Sequence, residues 1–192
     1  PMRIIAGQHR GRHLTPPRGM ATRPITDKVK ETVFNKLASH GLLHDDPPAT
    51  VADVFTGTGS LGLEALSRGA ARCIFVERSR SALAGLRENI QALDLKSRAE
   101  VVEGDALTAG WLQAVMADSL RVVFLDPPYE MMRKRATREP IETLMGLMVS
   151  RLEPGGVIVL RGPAEDDAMP ASVAGLEGPM SDRFKHMAVH YY

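Results

Sequence analysis

The sequence predicts an α/β fold in which helices cover both faces of a doubly wound, mostly parallel sheet, preceded by a small N-terminal extension made of a β-hairpin and a helix. Two observations lead to this prediction. Short apolar runs alternate with stretches of helical periodicity over residues 51–161, an order typical of parallel sheets. The 192 residues are also 44% hydrophobic and 24% charged, which is enough for a sizeable core.

The N-terminal extension comes first in the chain. Residues 3–6 and 12–15 are predicted to pair as a hairpin across 7–11. A helix is predicted over 27–39, with Thr26 or Asp27 as its cap, because four apolar residues share one face: Val29, Val33, Phe34 and Leu37. A linker at 41–50 then divides the chain into an extension of residues 2–44 and a larger unit of residues 45–192.

Strands and helices alternate through the larger unit. The strands are predicted at 51–55, 73–77, 99–103, 121–125 and 157–161. The helices between them are predicted at 60–68, 79–93, 107–117 and 139–152. A final strand is predicted at 185–192, and it is the one strand that could run antiparallel to the others.

A glycine-rich segment follows the first predicted strand of the larger unit. Gly57, Gly59 and Gly62 fit the pattern G-x-G-x-x-G between a strand and a helix, where glycine lets the backbone approach a nucleotide. Glu77 ends the next apolar run at the spacing of an acid that accepts hydrogen bonds from ribose hydroxyls. The pattern by itself suits NAD, FAD or S-adenosylmethionine. The candidate cofactor-binding residues are Asp53, Phe55, Gly57, Thr58, Gly59, Leu61, Glu77, Arg78, Asp105 and Ala106.

Three features favour S-adenosylmethionine among these cofactors. Asp53 precedes the glycine loop, where it would repel a pyrophosphate but could hold the cationic methionine end of the sulfonium cofactor. Asp105 follows the third strand of the larger unit and could accept from the adenine amino group. The third feature is a segment after the fourth strand, for which an oxidoreductase has no evident use.

This segment, Asp126-Pro127-Pro128-Tyr129, directly follows a buried apolar run and supplies the candidate catalytic residues. The two prolines restrict the backbone, so Asp126 and the carbonyl of Pro127 are held as fixed hydrogen-bond acceptors. Tyr129 is placed to stack on a planar ring. Together these groups predict a pocket for a flat molecule that carries an amino group.

The charge is distributed unevenly along the chain. Residues 1–36 carry a net charge of +6, which leaves −5 for the remainder of a chain whose total is +1. Such a basic segment, held open by glycines and prolines, is predicted to attract phosphate backbones, and a second basic cluster follows Tyr129. The candidate RNA-binding residues are Arg3, Arg10, Arg12, Arg23, Lys28, Lys30, Arg133, Lys134 and Arg135. Lys30 falls in an apolar stripe, and we expect it to extend to solvent, with a position in the cleft as the alternative.

The sequence resembles the RsmD-type 16S ribosomal RNA guanine-N2 methyltransferases over most of residues 2–161. The resemblance is most specific in the N-terminal blocks Met2-Arg3-Ile4-Ile5-Ala6-Gly7, Arg10-Gly11-Arg12, 23–31 and Phe34-Asn35, and it continues through 53–70, Glu77 and Asp126 to Tyr129. It implies a class I S-adenosylmethionine fold with a seven-stranded Rossmann-like sheet. It also implies methylation of one guanine in 16S rRNA, within the small ribosomal subunit or its assembly intermediate.

Four positions depart from the pattern of this family. The family usually has Arg where Lys28 and Lys30 stand and Thr where Ile25 stands, and it often has Glu near Arg161. Lysine keeps the charge of arginine but lacks its planar fork, so bidentate contacts at the first two positions are not expected. Arg161 excludes a role for an acid at its own position.

Other functions stay open from the sequence alone. Amino methyltransferases of DNA adenine or cytosine, or of protein glutamine, share the Asp/Asn-Pro-Pro-Tyr segment, and an NAD-dependent oxidoreductase or a non-catalytic RNA-binding module is a more distant alternative. The six histidines show no metal-ligand spacing, so no metal is expected. The chain has neither an apolar run of membrane-spanning length nor a secretory leader, and we expect a cytoplasmic monomer.

Overall fold

The computed structural model describes residues 2–16, 25–43, 48–165 and 172–192. Seven strands occupy β1 (Thr50–Val54), β2 (Arg72–Glu77), β3 (Ala99–Glu103), β4 (Leu120–Leu125), β5 (Leu152–Pro163), β6 (Met180–Arg183) and β7 (Met187–Tyr191). Five α-helices occupy α1 (Asp27–Ser39), α2 (Ser60–Ser67), α3 (Arg80–Ala92), α4 (Tyr129–Arg133) and α5 (Arg135–Met148). Short 3-10 helices lie at Ala106–Thr108, Gly110–Ala114 and Val149–Arg151.

The seven strands form one sheet in the order β3-β2-β1-β4-β5-β7-β6. The strands β1 to β5 are parallel, whereas β7 lies antiparallel between β5 and β6. The predicted doubly wound α/β sheet is therefore confirmed, and so is the antiparallel direction of the last strand. The order reverses between β1 and β4, and ligands of such sheets bind beside this point, at the carboxyl ends of the strands.

The central strands are buried on both faces because helices cover each side. Along β4, Val122 and Phe124 belong to the core under α1, α2 and α3, whereas Val123 and Leu125 belong to the core under α5. Uninterrupted apolar runs of this kind are typical of parallel strands that have helices on both sides.

The helix α1 has the predicted bounds. Its N-cap is Thr26, whose hydroxyl accepts a hydrogen bond from the backbone N–H of Val29 at 3.4 Å. Its apolar face packs into the main core, where the rings of Phe34 and Phe124 lie 5.3 Å apart between centroids. The helix therefore joins the extension directly to the central strand β4.

The predicted N-terminal hairpin is present as a turn with one antiparallel bridge, between Arg3 and His13, rather than as two full strands. The turn packs along α2. The side chain of Glu64 accepts the N–H groups of Ile5 and Ala6, and the hydroxyl of Ser67 accepts that of His9. The segment that the sequence predicts as an open arm is thus docked on the sheet's helical layer. The assignment of residues 2–44 and 45–192 to separate units stays a prediction.

Three predicted helices and strands differ from the observed elements by more than two residues at an end. The helix predicted at 139–152 is preceded by α4 and runs over Arg135–Met148, with Pro140 inside it, where the absent N–H removes one intrahelical hydrogen bond. The helix predicted at 107–117 is two 3-10 helices, since Ala109 takes a left-handed conformation with φ 53°. The strand predicted at 157–161 extends over Leu152–Pro163. None of the helices in the described segments is long and apolar enough to cross a membrane.

Candidate functional site

A cavity of about 930 Å³ opens at the carboxyl ends of the parallel strands. Its walls come from the ends of β1, β2, β4 and β5, from the glycine loop before α2 and from the turn between β6 and β7. All four predicted catalytic residues line this cavity, and so do the predicted cofactor residues other than Gly59 and Asp105. This volume can hold a nucleoside cofactor and part of a second molecule.

Each of the three glycines in the loop is explained by a different feature of the structure. Gly57 has φ 57°, and a Cβ added to it would meet no atom within 4 Å, so the loop leaves open space at this residue. Gly59 has φ 89°, and an added Cβ would lie 2.5 Å from the side chain of Leu86. At Gly62 an added Cβ would overlap the ring of Phe75, so this glycine allows α2 to pack on β2. These are the ligand-approach, turn and packing roles of a nucleotide-binding loop.

Asp53 holds the glycine loop in place. Its Oδ2 accepts hydrogen bonds from the hydroxyl of Thr56 at 2.6 Å and from the N–H of Gly62 at 2.7 Å. Burial raises the pKa of Asp53 to about 7, and these two hydrogen bonds oppose the rise. The carboxylate of this residue, which is only 1% exposed, is directed at the glycine loop. Direct contact with the cofactor stays a prediction.

Glu77 stands at the end of β2 and faces the loop from the other side. Its Oε2 accepts the N–H of Gly57 at 2.9 Å, and its Oε1 accepts the N–H groups of Arg78 and Ser79 at 2.9 and 2.8 Å. These bonds fix the carboxylate against the cavity, which it lines. Each carboxylate oxygen has two acceptor sites, so ribose hydroxyls could bind at the remaining capacity.

Asp105, which follows β3, contacts other residues of the protein through both carboxylate oxygens. Its Oδ1 accepts the N–H of Leu107 at 3.0 Å, which caps a 3-10 helix, and its Oδ2 pairs with Arg78 at 2.9 Å. The predicted contact with the adenine amino group stays a prediction. The neighbouring Gly104 and Ala106 line the cavity, as do Arg78 itself and three more predicted cofactor residues: Phe55, Thr58 and Leu61.

The Asp126-Pro127-Pro128-Tyr129 segment forms the opposite wall of the cavity. The backbone N–H of Asp126 donates to the carbonyl of Val54 at 3.2 Å, which holds the end of β4 against β1. Pro128 is the N-cap of α4, and Tyr129 is the first residue of that helix. All four residues line the cavity together with the glycine loop.

Arg161 is the residue beside this segment whose role the sequence did not predict. Its Nε donates to Oδ1 of Asp126 at 2.6 Å and its Nη2 to Oδ2 at 2.7 Å, so the pair is bidentate. Burial alone would lower the pKa of the Arg161 guanidinium, but the adjacent Asp126 carboxylate outweighs burial and the pKa is raised. The two residues come directly after Leu125 and Leu160, which pair with each other across the neighbouring strands β4 and β5.

Other cavity residues were also missed from the sequence. Met2 and Ile25 reach the cavity from the N-terminal segment, and Lys185 and His186 reach it from the turn between β6 and β7. This turn is closed by a hydrogen bond of 2.8 Å from the N–H of Phe184 to the carbonyl of Met187. The two exposed basic residues at the turn could have been noticed as a polar interruption between two strands.

The structure separates the candidate RNA-binding residues. Lys30 is only 1% exposed and donates to the carbonyl of Arg3 and the hydroxyl of Ser60, so the predictions that it extends to solvent and contacts RNA are wrong. Arg23 lies outside the described residues. The remaining candidates are exposed: Arg3, Arg10, Arg12, Lys28, Arg133, Lys134 and Arg135. Arg3 pairs with Asp27 at 2.9 Å, and Arg133, which lines the cavity, pairs with Glu165 at 3.4 Å.

Arg10 and Arg12 lie far from the cavity. Arg12 donates to the carbonyl of Ala92, the last residue of α3, and the neighbouring turn packs on the last residue of α2. Both helices begin beside the cavity and end at the opposite edge of the sheet. The eight-residue helix α2 is about 12 Å long, so Arg10 and Arg12 lie about one helix length from the cavity.

The described residues contain no group of three or more His, Cys, Asp and Glu side chains that could hold a metal ion. Cys73, which the sequence placed in a strand, is buried in β2.

Comparisons with known proteins agree with the geometry of the site. The family model described as conserved hypothetical protein 95 matches residues 2–192. A Bacillus subtilis protein named "Putative rRNA methyltransferase YlbH" is 38% identical over 175 residues, which are 91% of this chain and 89% of that protein. The Escherichia coli "Ribosomal RNA small subunit methyltransferase D" is 41% identical over 128 residues, which are 67% of this chain and 60% of that protein. The solved structure of "Putative methyltransferase yhhF from Escherichia coli" superposes with a TM-score of 0.77 at 33% identity, covering 99% of this chain and 96% of that one.

Proposed function

The chain belongs to the RsmD-type family of S-adenosylmethionine-dependent methyltransferases, and on this premise we propose that it methylates the exocyclic N2 of a guanine in 16S ribosomal RNA. The observation that carries the proposal is the meeting of two walls in one cavity. A nucleotide-binding glycine loop forms one wall and the Asp126-Pro127-Pro128-Tyr129 segment forms the other, so a methyl donor and an amino group would be brought together.

The residues of the first wall fit the cofactor. Gly57 leaves space for the ligand to approach the backbone, and Glu77 presents its carboxylate to the same space. We propose that Glu77 accepts hydrogen bonds from the ribose hydroxyls and that Phe55, Leu61 and Ala106 contact the planar adenine ring. S-adenosylmethionine supplies a methyl group on a positively charged sulfur. Asp53 contributes by holding the loop in shape through Thr56 and Gly62.

The second wall fits an aromatic amino group. The lone pair of guanine N2 is delocalised into the ring, so the nitrogen becomes a nucleophile when its N–H bonds are held and it bends toward tetrahedral geometry. The Asp126 carboxylate and the Pro127 carbonyl would accept hydrogen bonds from the two N–H groups, and Tyr129 would stack on the base. Transfer would join N2 to the methyl carbon and break the bond between that carbon and the sulfur, which would keep the electron pair, and one N2 proton would pass to Asp126 or to water. A paired base cannot reach the cavity, so the target nucleotide is unstacked or flipped.

We propose that RNA binds along the carboxyl edge of the sheet, around the mouth of the cavity. Arg133, Lys185 and His186 line this mouth. Lys134 and Arg135 follow α4 immediately and are exposed. Basic side chains at the mouth would meet the phosphates that flank a nucleotide inserted into the cavity. Arg10 and Arg12 lie outside this path, and their contact with RNA stays a prediction from the sequence.

The substrate can be identified in cells. The modified nucleosides of 16S rRNA would be mapped by mass spectrometry in cells with the gene, without it, and without it but supplied with the chain or its Gly57→Val variant. We expect N2-methylguanosine to disappear from one position when the gene is absent and to return with the unaltered chain only. An unchanged set of modified nucleosides in the absence of the gene would contradict the proposal.

A further inference from the structure

The side chain of Arg161 contacts two of the residues that the proposed function assigns to base capture. Besides its two hydrogen bonds to Asp126, its guanidinium lies over the ring of Tyr129, with Cζ 5.7 Å from the ring centroid. The residue is 8% exposed and lines the cavity. A single side chain from β5 thus connects an acceptor at the end of β4 to an aromatic ring at the start of α4.

The backbone explains why the contact is geometrically fixed. The strands β4 and β5 are parallel and pair Phe124 with Val159 and Leu125 with Leu160. The residues that follow these pairs, Asp126 and Arg161, therefore lie side by side. Phe124 and Val159 pack in the same core, and residues two positions further along a strand point to the same face. The Asp126 and Arg161 side chains therefore extend from the same face of adjacent strands, which favours a two-point contact.

The two-point contact restricts the orientation of the Asp126 carboxylate. A bidentate pair between arginine and a carboxylate holds both groups in one plane, which a single hydrogen bond does not. Two of the four acceptor sites of the carboxylate are used by Arg161, and two are left for a ligand. The direction in which Asp126 can accept an amino hydrogen is thereby set before the substrate arrives.

We propose that Arg161 is a positioning residue for methyl transfer, which orients Asp126 toward the amino group of the target base. This inference rests on the proposed function, since it assigns Arg161 a task in that reaction. A purely structural role would make Arg161 important for stability alone. A positioning role makes it important for the rate through Asp126.

The same two strands offer a matched control at their other ends. Arg121 of β4 donates to Glu153 of β5 at 2.5 Å, and Arg121 is 7% exposed. This pair also joins β4 to β5 through a buried arginine and a carboxylate, but it lies at the amino edge of the sheet. Its loss should affect stability without affecting the groups in the cavity.

The test compares Arg161→Met, Arg161→Lys, Arg121→Met, Asp126→Ala and the double variant Arg161→Met/Asp126→Ala in the full chain. Methyl transfer to small ribosomal subunits from cells that lack the gene would give kcat, and calorimetry would give the affinity for S-adenosylmethionine. We expect Arg161→Met to lower kcat by about 10- to 100-fold, the scale of a misplaced catalytic group, while the cofactor affinity stays unchanged. Arg161→Lys should recover part of the rate because lysine keeps the charge but not the fork.

The double variant distinguishes the two roles. If Arg161 acts through Asp126, the double variant transfers methyl groups as fast as Asp126→Ala alone, because the two effects are not additive for residues in contact. Multiplied losses in the double variant, a wild-type kcat for Arg161→Met, or an equal loss in Arg121→Met would overturn the positioning role. Failure of the unaltered chain to methylate the subunits would instead overturn the proposed function, and this inference with it.

Discussion

At the scale of single residues, the buried carboxylate of Asp53 connects the glycine loop to the sheet. Its burial raises its pKa from the ordinary value of 3.8 to about 7, with smaller contributions from Asp126 and Glu77. Between these two pH values the folded chain retains a proton that the unfolded chain has lost. The contribution of Asp53 to the free energy of unfolding is therefore greatest at low pH and falls as pH rises toward 7.

This pH dependence can be measured with Asp53→Asn. An amide oxygen still accepts the hydrogen bonds of Thr56 and Gly62, but it does not titrate. We expect the free energy of unfolding of the wild type to lose up to about 1.4 kcal/mol per pH unit relative to the variant between pH 5 and 7. Urea unfolding of both proteins at pH 5, 6, 7 and 8 checks this. Parallel pH dependences would show that Asp53 does not titrate in this range.

The role of Gly57 can be separated from its backbone strain. Gly57→Val and Gly11→Val both place a branched residue at positive φ, 57° and 83°, and an added Cβ meets no atom within 4 Å at either site. Both variants should lose at least about 1–2 kcal/mol of stability. We expect only Gly57→Val to lower the affinity for S-adenosylmethionine, by about tenfold or more, which corresponds to about 1.4 kcal/mol. Calorimetric titration would reveal equal affinities if the cofactor does not approach this loop.

Residues that act within a short segment could be predicted from the sequence, whereas contacts across the sheet could not. The geometry of the glycine loop and of the Asp126-Pro127-Pro128-Tyr129 segment depends on residues that are adjacent in the sequence. Arg161 meets Asp126 across 35 positions of sequence, and that contact depends on the register of two strands. Lys30 was misjudged for the same reason, because the carboxylate of Glu64 that compensates its burial comes from another helix.

At the scale of elements, Glu64 joins the N-terminal segment to α2. It is fully buried and contacts the N–H groups of Ile5 and Ala6, Arg68 at 2.7 Å and Lys30 at 3.4 Å. Burial lowers the pKa of Lys30, and Glu64 opposes this effect. Because Lys30 also donates to Ser60 at the start of α2, this network links the N-terminal turn to the glycine loop. Such docking depends on an acid within a helix, and charge patterning along the sequence indicated an open arm instead.

Removal of the Glu64 charge should be strongly destabilising. Glu64→Gln leaves the Lys30 ammonium buried without a full counter-charge, and we expect a loss of about 3–5 kcal/mol in the free energy of unfolding. The control is Glu103→Gln, which removes an exposed partner of Arg87 and should cost less than about 1 kcal/mol. Urea denaturation of the two variants gives the comparison. Similar losses in both would mean that the buried network does not hold the segment.

At the scale of the whole molecule, the two edges of the parallel sheet carry different features. The cavity and the basic residues at its mouth lie at the carboxyl edge. Lys96, an exposed residue in the connection from α3 to β3, lies at the amino edge. The order of strands and helices predicted which edge carries the site, whereas the turn between β6 and β7 reaches it only because β7 inserts between β5 and β6.

RNA binding tests this division of the molecule. Lys185→Gln removes one proposed phosphate contact at the cavity, and Lys96→Gln removes an exposed lysine at the other edge. We expect Lys185→Gln to reduce the slope of log affinity against log salt by about 0.7–0.9 and Lys96→Gln to leave it unchanged, since each phosphate contact releases a fixed share of counterions. Binding of 16S rRNA at several salt concentrations provides the slopes. Equal slopes for the wild type and Lys185→Gln would place the RNA elsewhere.

The transfer reaction itself tests the proposed chemistry most directly. Small ribosomal subunits from cells that lack the gene would be incubated with S-adenosylmethionine carrying an isotope-labelled methyl group and with the wild-type chain or Asp126→Ala, and the labelled nucleosides would be identified by mass spectrometry. We predict that the label appears in N2-methylguanosine of 16S rRNA and that Asp126→Ala slows its appearance by about 100-fold or more, the scale of a lost proton acceptor. Label in another nucleoside or in protein, or transfer by Asp126→Ala at the wild-type rate, would contradict the assignment of this cavity to guanine N2.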